Sequence, residues 1–227
     1  MALTAPAYEL LRDRLRDEIV AGQLEPGSRL TIGEVSERYG ISHMPVREAF
    51  QSLQGDGLIR ILPHKGVRVL PVGLKFVANI FDVRSAIEEL LARLAALNVD
   101  QATIARARAA HEAIRDHVRA GDIREHFTLD RDFHTAIYER SGNDEAVKIF
   151  SKYSDIILAL RACYGFGPGR TEIMLEEHAR FLDAVAAGDA DTAAAVARDH
   201  KLEAKQDLLD LMKKSLPDGV DDFVWDD

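Results

Sequence analysis

Four residues in the second half of the chain have the types and the spacing of a metal site. Asp130 and His134 are four positions apart, so on a helix their side chains project from one face. His178 and His200 lie 11 positions before and 11 positions after residue 189, where a glycine-containing break separates two helical patterns. In two antiparallel helices these histidines would lie at the same height, about 16 Å from the turn. Three imidazoles and one carboxylate are ligands suited to zinc, with nickel or manganese as alternatives.

Two other interpretations of these residues stay open. A D-x-x-x-H pair on a helix is more often a surface ion pair than a pair of ligands, and a histidine in a core can simply hydrogen-bond to its neighbours. Three further histidines have no partners at matched positions, and we expect them on solvated helix faces: His111, His117 and His126.

Two arginines on apolar helix faces are candidates for binding an anionic ligand. Arg84 occupies a slot between Ile80 and Ile87 in an apolar stripe, and a guanidinium on a buried face is costly unless it is paired. A small anionic ligand and the nearby Glu88 are equally good partners for it. Arg161, at the edge of another apolar stripe, is a second candidate, although an arginine at a helix end can also extend its charged group into solvent.

A second set of polar residues is predicted on a short helix that begins at Ser42. His43, Arg47 and Gln51 follow one another at i, i+4 spacing, so they form one exposed row of hydrogen-bonding groups suited to base edges. Ser42 is expected to cap the helix, whose N-terminus would face a phosphate. The opposite side of this helix carries the apolar residues that would anchor it: Val46, Ala49, Phe50 and Leu53.

The neighbouring sequence supplies the elements that would position this row. Thr31 and Glu34 form a T-x-x-E capping box and Gly40 is a C-terminal stop, so another short helix precedes the one at Ser42 in a helix-turn-helix arrangement. Two β-branched runs follow at 58–62 and 66–70 and predict a hairpin. The hairpin tip would be a basic wing that contacts phosphate or the minor groove, formed by His64, Lys65 and Gly66.

From Leu74 onward, helical patterns follow one another across short breaks, and this part of the sequence has no pattern typical of a strand. The predicted helices span roughly 74–97, 101–120, 122–141, 143–164, 169–187 and 190–214. Short connections predict antiparallel neighbours. We therefore expect a mainly α chain with a winged helix-turn-helix domain at 1–72, an all-helical antiparallel bundle at 73–214 and an acidic tail at 215–227.

Charge is distributed unevenly along the chain. Nine basic and nine acidic residues precede Gly73, whereas 20 basic and 29 acidic residues lie from Gly73 onward, which gives 20 − 29 = −9. Any contacts to DNA must therefore come from local basic groups on the first domain. The single cysteine, Cys163, excludes an intramolecular disulfide. The first residues do not show a basic segment followed by a long apolar run, and no segment approaches the length of a transmembrane helix. We expect a cytoplasmic protein.

Residues 8–72 resemble the winged-helix DNA-binding domain of the GntR family of bacterial transcription regulators, through L-x-P-G-x-x-L at 24–30 and S-x-x-P-V-R-E-A at 42–49. His43 stands where the family usually has an arginine. A neutral imidazole is a shorter and weaker partner than a guanidinium, so operator affinity or sequence would differ from the family norm. The resemblance implies that the base and phosphate contacts fall on Ser42, His43, Arg47 and the wing tip, His64 to Gly66.

Residues 74–212 are similar to the FCD ligand-binding domain of the FadR-like branch of that family, most clearly at E-H-x-x-x-L-D-A-V-A-A-G-D, 177–189. In the metal-binding members an aspartate and a histidine on one helix join two histidines on the last two helices. The resemblance assigns these roles to Asp130, His134, His178 and His200. It also implies that the ion keeps coordination positions open for a small carboxylate effector.

We predict a homodimeric, non-enzymatic transcription regulator, such as a repressor, whose binding to an inverted-repeat operator responds to a small organic acid. Dimerisation follows from the resemblance and from the need to contact two half-sites. One alternative is a regulator with a metal-free bundle that binds a larger ligand such as an acyl thioester. Another is a metalloenzyme fused to a DNA-binding module, but the sequence has no E-x-x-H, H-E-x-x-H or nucleophile motif.

Overall fold

The computed structural model describes residues 6–69, 73–121 and 123–215. The chain divides into two compact units. The first consists of Met1–Val72 with Asp155–Cys163, and the second consists of Gly73–Ser154 with Tyr164–Asp227. Among the described residues, no helix has both the length and the apolar character needed to cross a bilayer.

The first unit is a winged helix-turn-helix. Its helices and strands are α1 (Ala7–Val20), β1 (Arg29–Leu30), α2 (Ile32–Tyr39), α3 (His43–Gly55), β2 (Ile59–Leu62) and β3 (Gly66–Val69). The strands form an antiparallel sheet in the order β1-β3-β2. The winged helix-turn-helix expected from the sequence is confirmed. The short strand β1 was not predicted, because a strand of two residues is too short to show the alternation of apolar and polar residues by which strands are recognised.

Local signals fix the helix-turn-helix. The Thr31 hydroxyl accepts a hydrogen bond from the Glu34 main-chain N–H at 3.2 Å, and the Thr31 N–H donates to the Glu34 carboxylate at 2.7 Å. Gly40 then ends α2 in the left-handed region, with φ 65°. Ser42 occupies the N-cap position of α3, but the expected capping hydrogen bond from its side chain is not formed. The start of α3 therefore keeps main-chain N–H groups available for another partner.

The apolar side of α3 is anchored as predicted. Val46, Ala49, Phe50 and Leu53 are all buried, so the opposite side of the helix is held outward. Gly66 is required where the wing returns beside β1: its φ is +83°, and an added Cβ would collide with the Leu30 carbonyl oxygen.

The described part of the second unit contains helices and no strand. Its elements are α4 (Leu74–Asn98), α5 (Gln101–Ala120), α6 (Ile123–Tyr138), a 3-10 turn (Glu139–Ser141), α7 (Asp144–Tyr164, apart from the segment Asp155–Cys163, which groups with the first unit), α8 (Arg170–Ala186) and α9 (Ala190–Ser215). Helix α4 packs most extensively against α9, while α5 packs against α6 and α8. The core between them includes Leu91, Ile114, Phe133, Phe150 and Phe181.

Candidate metal centre and nucleic-acid interface

Three buried histidines from three helices meet inside the second unit, and we call them the histidine cluster: His134 of α6, His178 of α8 and His200 of α9. The ring centroids of His134 and His178 are 4.9 Å apart, as are those of His178 and His200. The last two helices are joined by a short turn near residue 189, so the equal spacing of their histidines from that turn does place them together.

The donor atoms of the cluster are close enough to share one ion. One ring nitrogen from each histidine lies within 4.8 Å of the others, whereas ligands about 2.1 Å from a tetrahedral ion are about 3.4 Å apart. Asp130 adds an oxygen that lies 3.3 Å from His178 Nε2 and 3.9 Å from His134 Nε2. The structure therefore brings all four predicted ligands together. A slight shortening of the distances between their donor atoms would give the spacing expected around one ion.

The residues present fit a metal ion because their polar atoms lack other partners. The histidines of the cluster are between 1% and 6% exposed. Both ring nitrogens of His134 and of His178, and Oδ1 of Asp130, are buried without a hydrogen bond to any described group. Buried polar groups normally have partners, and unsatisfied ones are costly. Coordination would satisfy these atoms.

Burial also prepares the imidazoles as ligands. It lowers the pKa of His178 to about 3, and it lowers the pKa of His134 and of His200 well below the ordinary value. All three rings are thus neutral at pH 7 and have a free lone pair. Burial raises the pKa of Asp130, but attraction to His178 at the low pH where that ring is protonated, and to Lys201, outweighs this effect and leaves the pKa below its ordinary value, so Asp130 is ionised at pH 7.

Glu177 orients His200, a role that the sequence analysis missed. Its Oε2 lies 2.6 Å from Nδ1 of His200, and Arg170 Nη2 donates to the same oxygen at 2.8 Å. A carboxylate acceptor keeps the imidazole proton on Nδ1, which leaves Nε2 as the coordinating atom. The signal in the sequence was the spacing of Arg170 and Glu177, seven positions apart on one face of α8.

Aromatic rings fix the planes of the ligands. Phe133 stacks on His178 with centroids 4.9 Å apart, and Tyr138 stacks on His134 with centroids 5.6 Å apart. The expectation that the other three histidines lie on solvated faces was wrong for His126, which is 1% exposed and lies against Phe166. The remaining two, His111 and His117, are half-buried.

Arg84 is paired with Glu88, one of the two partners that the sequence analysis predicted for it. Its Nε donates to Oε1 of Glu88 at 2.7 Å, and both side chains are buried. The same carboxylate receives a hydrogen bond from the Tyr138 hydroxyl at 3.1 Å and lies 3.3 Å from Nζ of Lys201, which is also buried. Lys201 had not been recognised as a candidate. Arg161 is buried too, but it belongs to the segment of α7 that groups with the first unit.

The first unit presents most of the predicted DNA-binding residues along one groove of about 490 Å³ between α3 and the wing. His43, Arg47 and Gln51 are exposed on the outer side of α3, as is Ser42 at its start. His64 at the wing tip has a φ of 59°, a left-handed conformation that is strained for a residue with a side chain. The groove is lined by Arg29, Arg47, Gln51, His64, Lys65 and Gly66 among others; Arg29 was not among the predicted residues.

Two family models match this chain. The model described as bacterial regulatory proteins, gntR family, matches residues 7–69, and the FCD domain matches residues 79–204. Similar proteins include the HTH-type transcriptional repressor RspR of Escherichia coli (strain K12), 26% identical over 93% of each chain. Another is a probable D-xylose utilization operon transcriptional repressor of Paenarthrobacter nicotinovorans, 28% identical over 81% of this chain and 80% of the relative.

Solved structures show the same fold. E. coli McbR/YncC superposes with a TM-score of 0.79 at 20% identity, covering 94% of this chain and all of the other. A GntR transcriptional regulator from Rhodococcus sp. RHA1 superposes with a TM-score of 0.75 at 21% identity, covering 89% of this chain and 97% of the other.

The first prediction concerns Glu177. We expect Glu177→Gln to weaken Zn²⁺ affinity by about 10- to 100-fold, because an amide holds the His200 Nδ1 proton less firmly than a carboxylate does. Competition with a chelating dye at pH 7.5 measures the affinity, and far-UV circular dichroism checks the fold. Glu176→Gln is the matched control, since Glu176 is the exposed neighbour on the same helix. Wild-type affinity in the Glu177 variant would contradict the orienting role.

The second prediction concerns the pH dependence of stability. The cluster histidines titrate near 6.5 in the unfolded chain but well below that when folded, to about 3 for His178. The unfolded state therefore binds more protons, so the metal-free protein is most stable above pH 6.5 and loses stability as the pH falls towards 3. The loss is about 1.4 kcal/mol per pH unit for each histidine.

Urea denaturation of the metal-free protein at several pH values between about 7.5 and 5.5 tests this dependence. His178→Gln should lose less stability on acidification than the wild type, because one depressed pKa is gone. His43→Gln, at an exposed position of α3, is the control. Its free energy of unfolding should change with pH by the same slope as that of the wild type. Identical slopes for the His178 variant and the wild type would show that His178 is not held neutral by the fold.

Proposed function

Since the chain belongs to the gntR family of bacterial regulatory proteins and carries an FCD domain, we propose that its DNA binding is controlled by a divalent metal ion and a small carboxylate effector. The chain is a transcription regulator of this family. The observation that carries the proposal is the buried cluster of three histidines whose ring nitrogens largely lack hydrogen bonds. Two similar proteins are named as repressors, and we propose that this chain also represses.

Asp130, His134, His178 and His200 would hold the metal ion. The donor set of imidazole nitrogens and one carboxylate oxygen favours zinc, with nickel or manganese as alternatives. When bound, the ion would supply a Lewis-acidic centre with a coordination position for a carboxylate oxygen. Glu177, Phe133 and Tyr138 keep the ligands in place through the contacts described above.

Arg84 and Lys201 are the residues we assign to the effector. Both are buried and share the single carboxylate of Glu88. They also lie close enough to the metal ligands that each lowers the pKa of His134 and of Asp130. A guanidinium stacked over the Phe150 ring, 5.1 Å from its centroid, is held rigidly and keeps further N–H donors for an anion.

The buried charges explain why the effector would be an anion. Arg84, Lys201 and Glu88 are buried and Asp130 is half-buried. Their two positive and two negative charges give 2 − 2 = 0 before a metal is added. The Arg170–Glu177 pair is neutral by itself. A divalent ion would then add two uncompensated positive charges to a buried site, which is costly unless an anionic ligand accompanies it. Small carboxylates meet that requirement.

Dimerisation is supported by an unusual outer face of α4. Four large apolar residues on it are between 40% and 65% exposed, and they recur every seven positions: Phe76, Val83, Leu90 and Leu97. A seven-residue repeat of exposed apolar side chains is typical of a helix that packs along another helix. A second copy of this chain is the occupant we propose, because a twofold axis lays such a stripe against itself.

The proposed domain roles follow from these sites. Residues 1–72 would bind an inverted-repeat operator through α3 and the wing, with Ser42 and His43 joining the groove residues. Residues 73–214 would bind metal and effector and form the dimer, and 215–227, which lie outside the described residues except for Ser215, would form an acidic tail. As a regulator of bacterial transcription the protein would act in the cytoplasm, and it would need no catalytic activity.

The third prediction tests the effector. Zinc-loaded protein should be stabilised against heat by one of a panel of mono-, di- and tricarboxylates, by about 2.7 kcal/mol at a hundredfold excess over Kd. Chelation of the metal should abolish the shift, and the same acid should change the affinity for DNA. Lys201→Gln should lose the acid response but keep zinc, whereas Lys205→Gln, four residues further along α9 and paired with Asp82, should keep both.

Two outcomes would contradict this proposal. An acid response that survives chelation would remove the metal from the effector site. A response only to an acyl thioester, again independent of metal, would support the alternative in which the bundle binds a larger ligand.

The fourth prediction tests the dimer. The wild-type protein should have twice the 25.2 kDa mass of the chain in light scattering after size exclusion, and Leu90→Glu should shift it to the monomer mass, because a charge would be buried at the apolar stripe. Leu202→Glu is the matched control, since Leu202 and Leu90 are both 42% exposed and Leu202 lies on α9, outside the stripe. A dimeric Leu90 variant would place the interface elsewhere.

A further inference from the structure

Three arginines stand side by side across the wing sheet, and we call them the arginine row: Arg29, Arg68 and Arg60. Arg68 on the central strand β3 is paired in register with Arg29 on β1 and with Arg60 on β2. Residues directly opposite each other on neighbouring strands point to the same face of a sheet, with strands about 4.8 Å apart. The three arginine side chains therefore leave the sheet on one face.

This face is the outer face of the sheet. Ile59, Val67 and Val69, which alternate with the arginines along β2 and β3, are buried in the core of the first unit. Arg29 is exposed, and Arg60 and Arg68 are half-buried. Every charged residue on the three described strands is an arginine, and the sequence from 57 to 69 contains no aspartate or glutamate. Positive charge is thus concentrated here within a domain whose nine basic and nine acidic residues balance overall.

The row has a cost for folding. Like charges placed directly opposite on neighbouring strands destabilise a sheet, and Arg68 has such a neighbour on each side. An outward position on a strand could hold many uncharged residues. Three arginines in register nevertheless form a face suited to an extended anion, because each guanidinium can donate to phosphate oxygens.

The row is continuous with the groove beside α3. Arg29 lines that groove together with Arg47 and Lys65, and its Nε donates to the main-chain oxygen of Lys65 at the wing tip. Hydrogen bonds with Thr31 lower the pKa of the Glu34 carboxyl group, and Arg29, which lies within electrostatic reach, adds to this effect. A guanidinium has five N–H donors, so an arginine that contacts protein groups can still donate to a phosphate.

The dimensions match a nucleic-acid backbone. Two strand spacings separate the ends of the row by about 10 Å, and one strand of a duplex has a phosphate every 3.4 Å or so along the axis. The row thus spans about three such steps along the axis, so each of its three arginines could meet a phosphate of one strand. Arginine also forms bidentate hydrogen bonds with phosphate oxygens.

We propose that the outer face of the wing sheet is a second DNA-contacting surface, on which Arg29, Arg60 and Arg68 bind backbone phosphates next to the site contacted by α3 and the wing tip. This inference rests on the proposed DNA-binding role of the first unit. In this proposal the wing sheet contacts phosphates, which position the protein on DNA without regard to sequence. Helix α3 contacts the bases, which determine the sequence that is bound.

The experiment is a salt titration of DNA binding. A fluorescein-labelled duplex of about 30 base pairs of mixed sequence would be titrated with wild-type protein and with Arg60→Gln/Arg68→Gln between about 50 and 200 mM KCl. The plot of log K against log salt concentration should be shallower for the variant by about 1.8, since each lost phosphate contact removes about 0.9. Arg12→Gln/Arg14→Gln on α1, with the same change in net charge, should keep the wild-type slope.

A second variant separates binding from folding. Arg60→Lys/Arg68→Lys keeps the positive charges and should restore most of the slope, because lysine binds phosphate as a point charge. Without DNA, the glutamine variant should keep a cooperative thermal unfolding transition, which shows that it is folded. A merely structural role would instead lower the unfolding temperature and leave the slope unchanged.

The outcomes distinguish the inference from the function on which it rests. Wild-type protein that does not bind the duplex at about 50 mM KCl would overturn both the DNA-binding role of the first unit and the arginine row. Suppose instead that the wild-type protein binds the duplex and that Arg47→Ala weakens this binding. If the glutamine variant then has the same salt slope as the wild type, only the proposal for the arginine row is overturned.

Discussion

The second unit depends on one physical constraint, the burial of three neutral imidazoles beside an ionised carboxylate. Burial lowers the pKa values of His134, His178 and His200, which removes the cost of a buried charge but leaves polar nitrogens that need partners. Glu177 satisfies one nitrogen of His200. The others converge from α6, α8 and α9, so the packing of these helices and the chemistry of the cluster cannot be separated.

The buried charged groups near the histidine cluster share a single carboxylate as their partner. Glu88 accepts from Arg84 and Tyr138 and lies beside Lys201, so one carboxylate compensates groups from three helices. Removing it would leave two cations in a low-dielectric core, which is far more costly than losing a surface ion pair. Such a network stabilises one arrangement of α4, α6 and α9. It also provides positive groups at the edge of the metal ligands, where an acidic ligand would enter.

Local signals in the sequence predicted the parts of the structure that depend on neighbouring residues. The capping box of Thr31 and Glu34 formed because both partners lie within one turn, and the matched spacing of His178 and His200 sufficed because a short turn fixes the height of two antiparallel helices. Contacts between distant residues gave no such signal. Strand β1 exists only through its partner β3, and Lys201 acquires its role from Glu88 on another helix. Glu177 was missed because it precedes His178 in sequence but contacts His200.

Helix α4 is the element on which ligand binding and dimerisation would meet. Its inner face carries Arg84 and Glu88, whereas its outer face carries the exposed apolar stripe that begins at Phe76. A ligand shifts an equilibrium only when it binds one arrangement better than another, and packed helices change position in small discrete steps. An anion that draws Arg84 or Lys201 away from Glu88 would alter the pairing that holds α4 against α9. The same displacement would move the stripe against its partner, so a charge change inside the bundle would become a change in the geometry of the dimer.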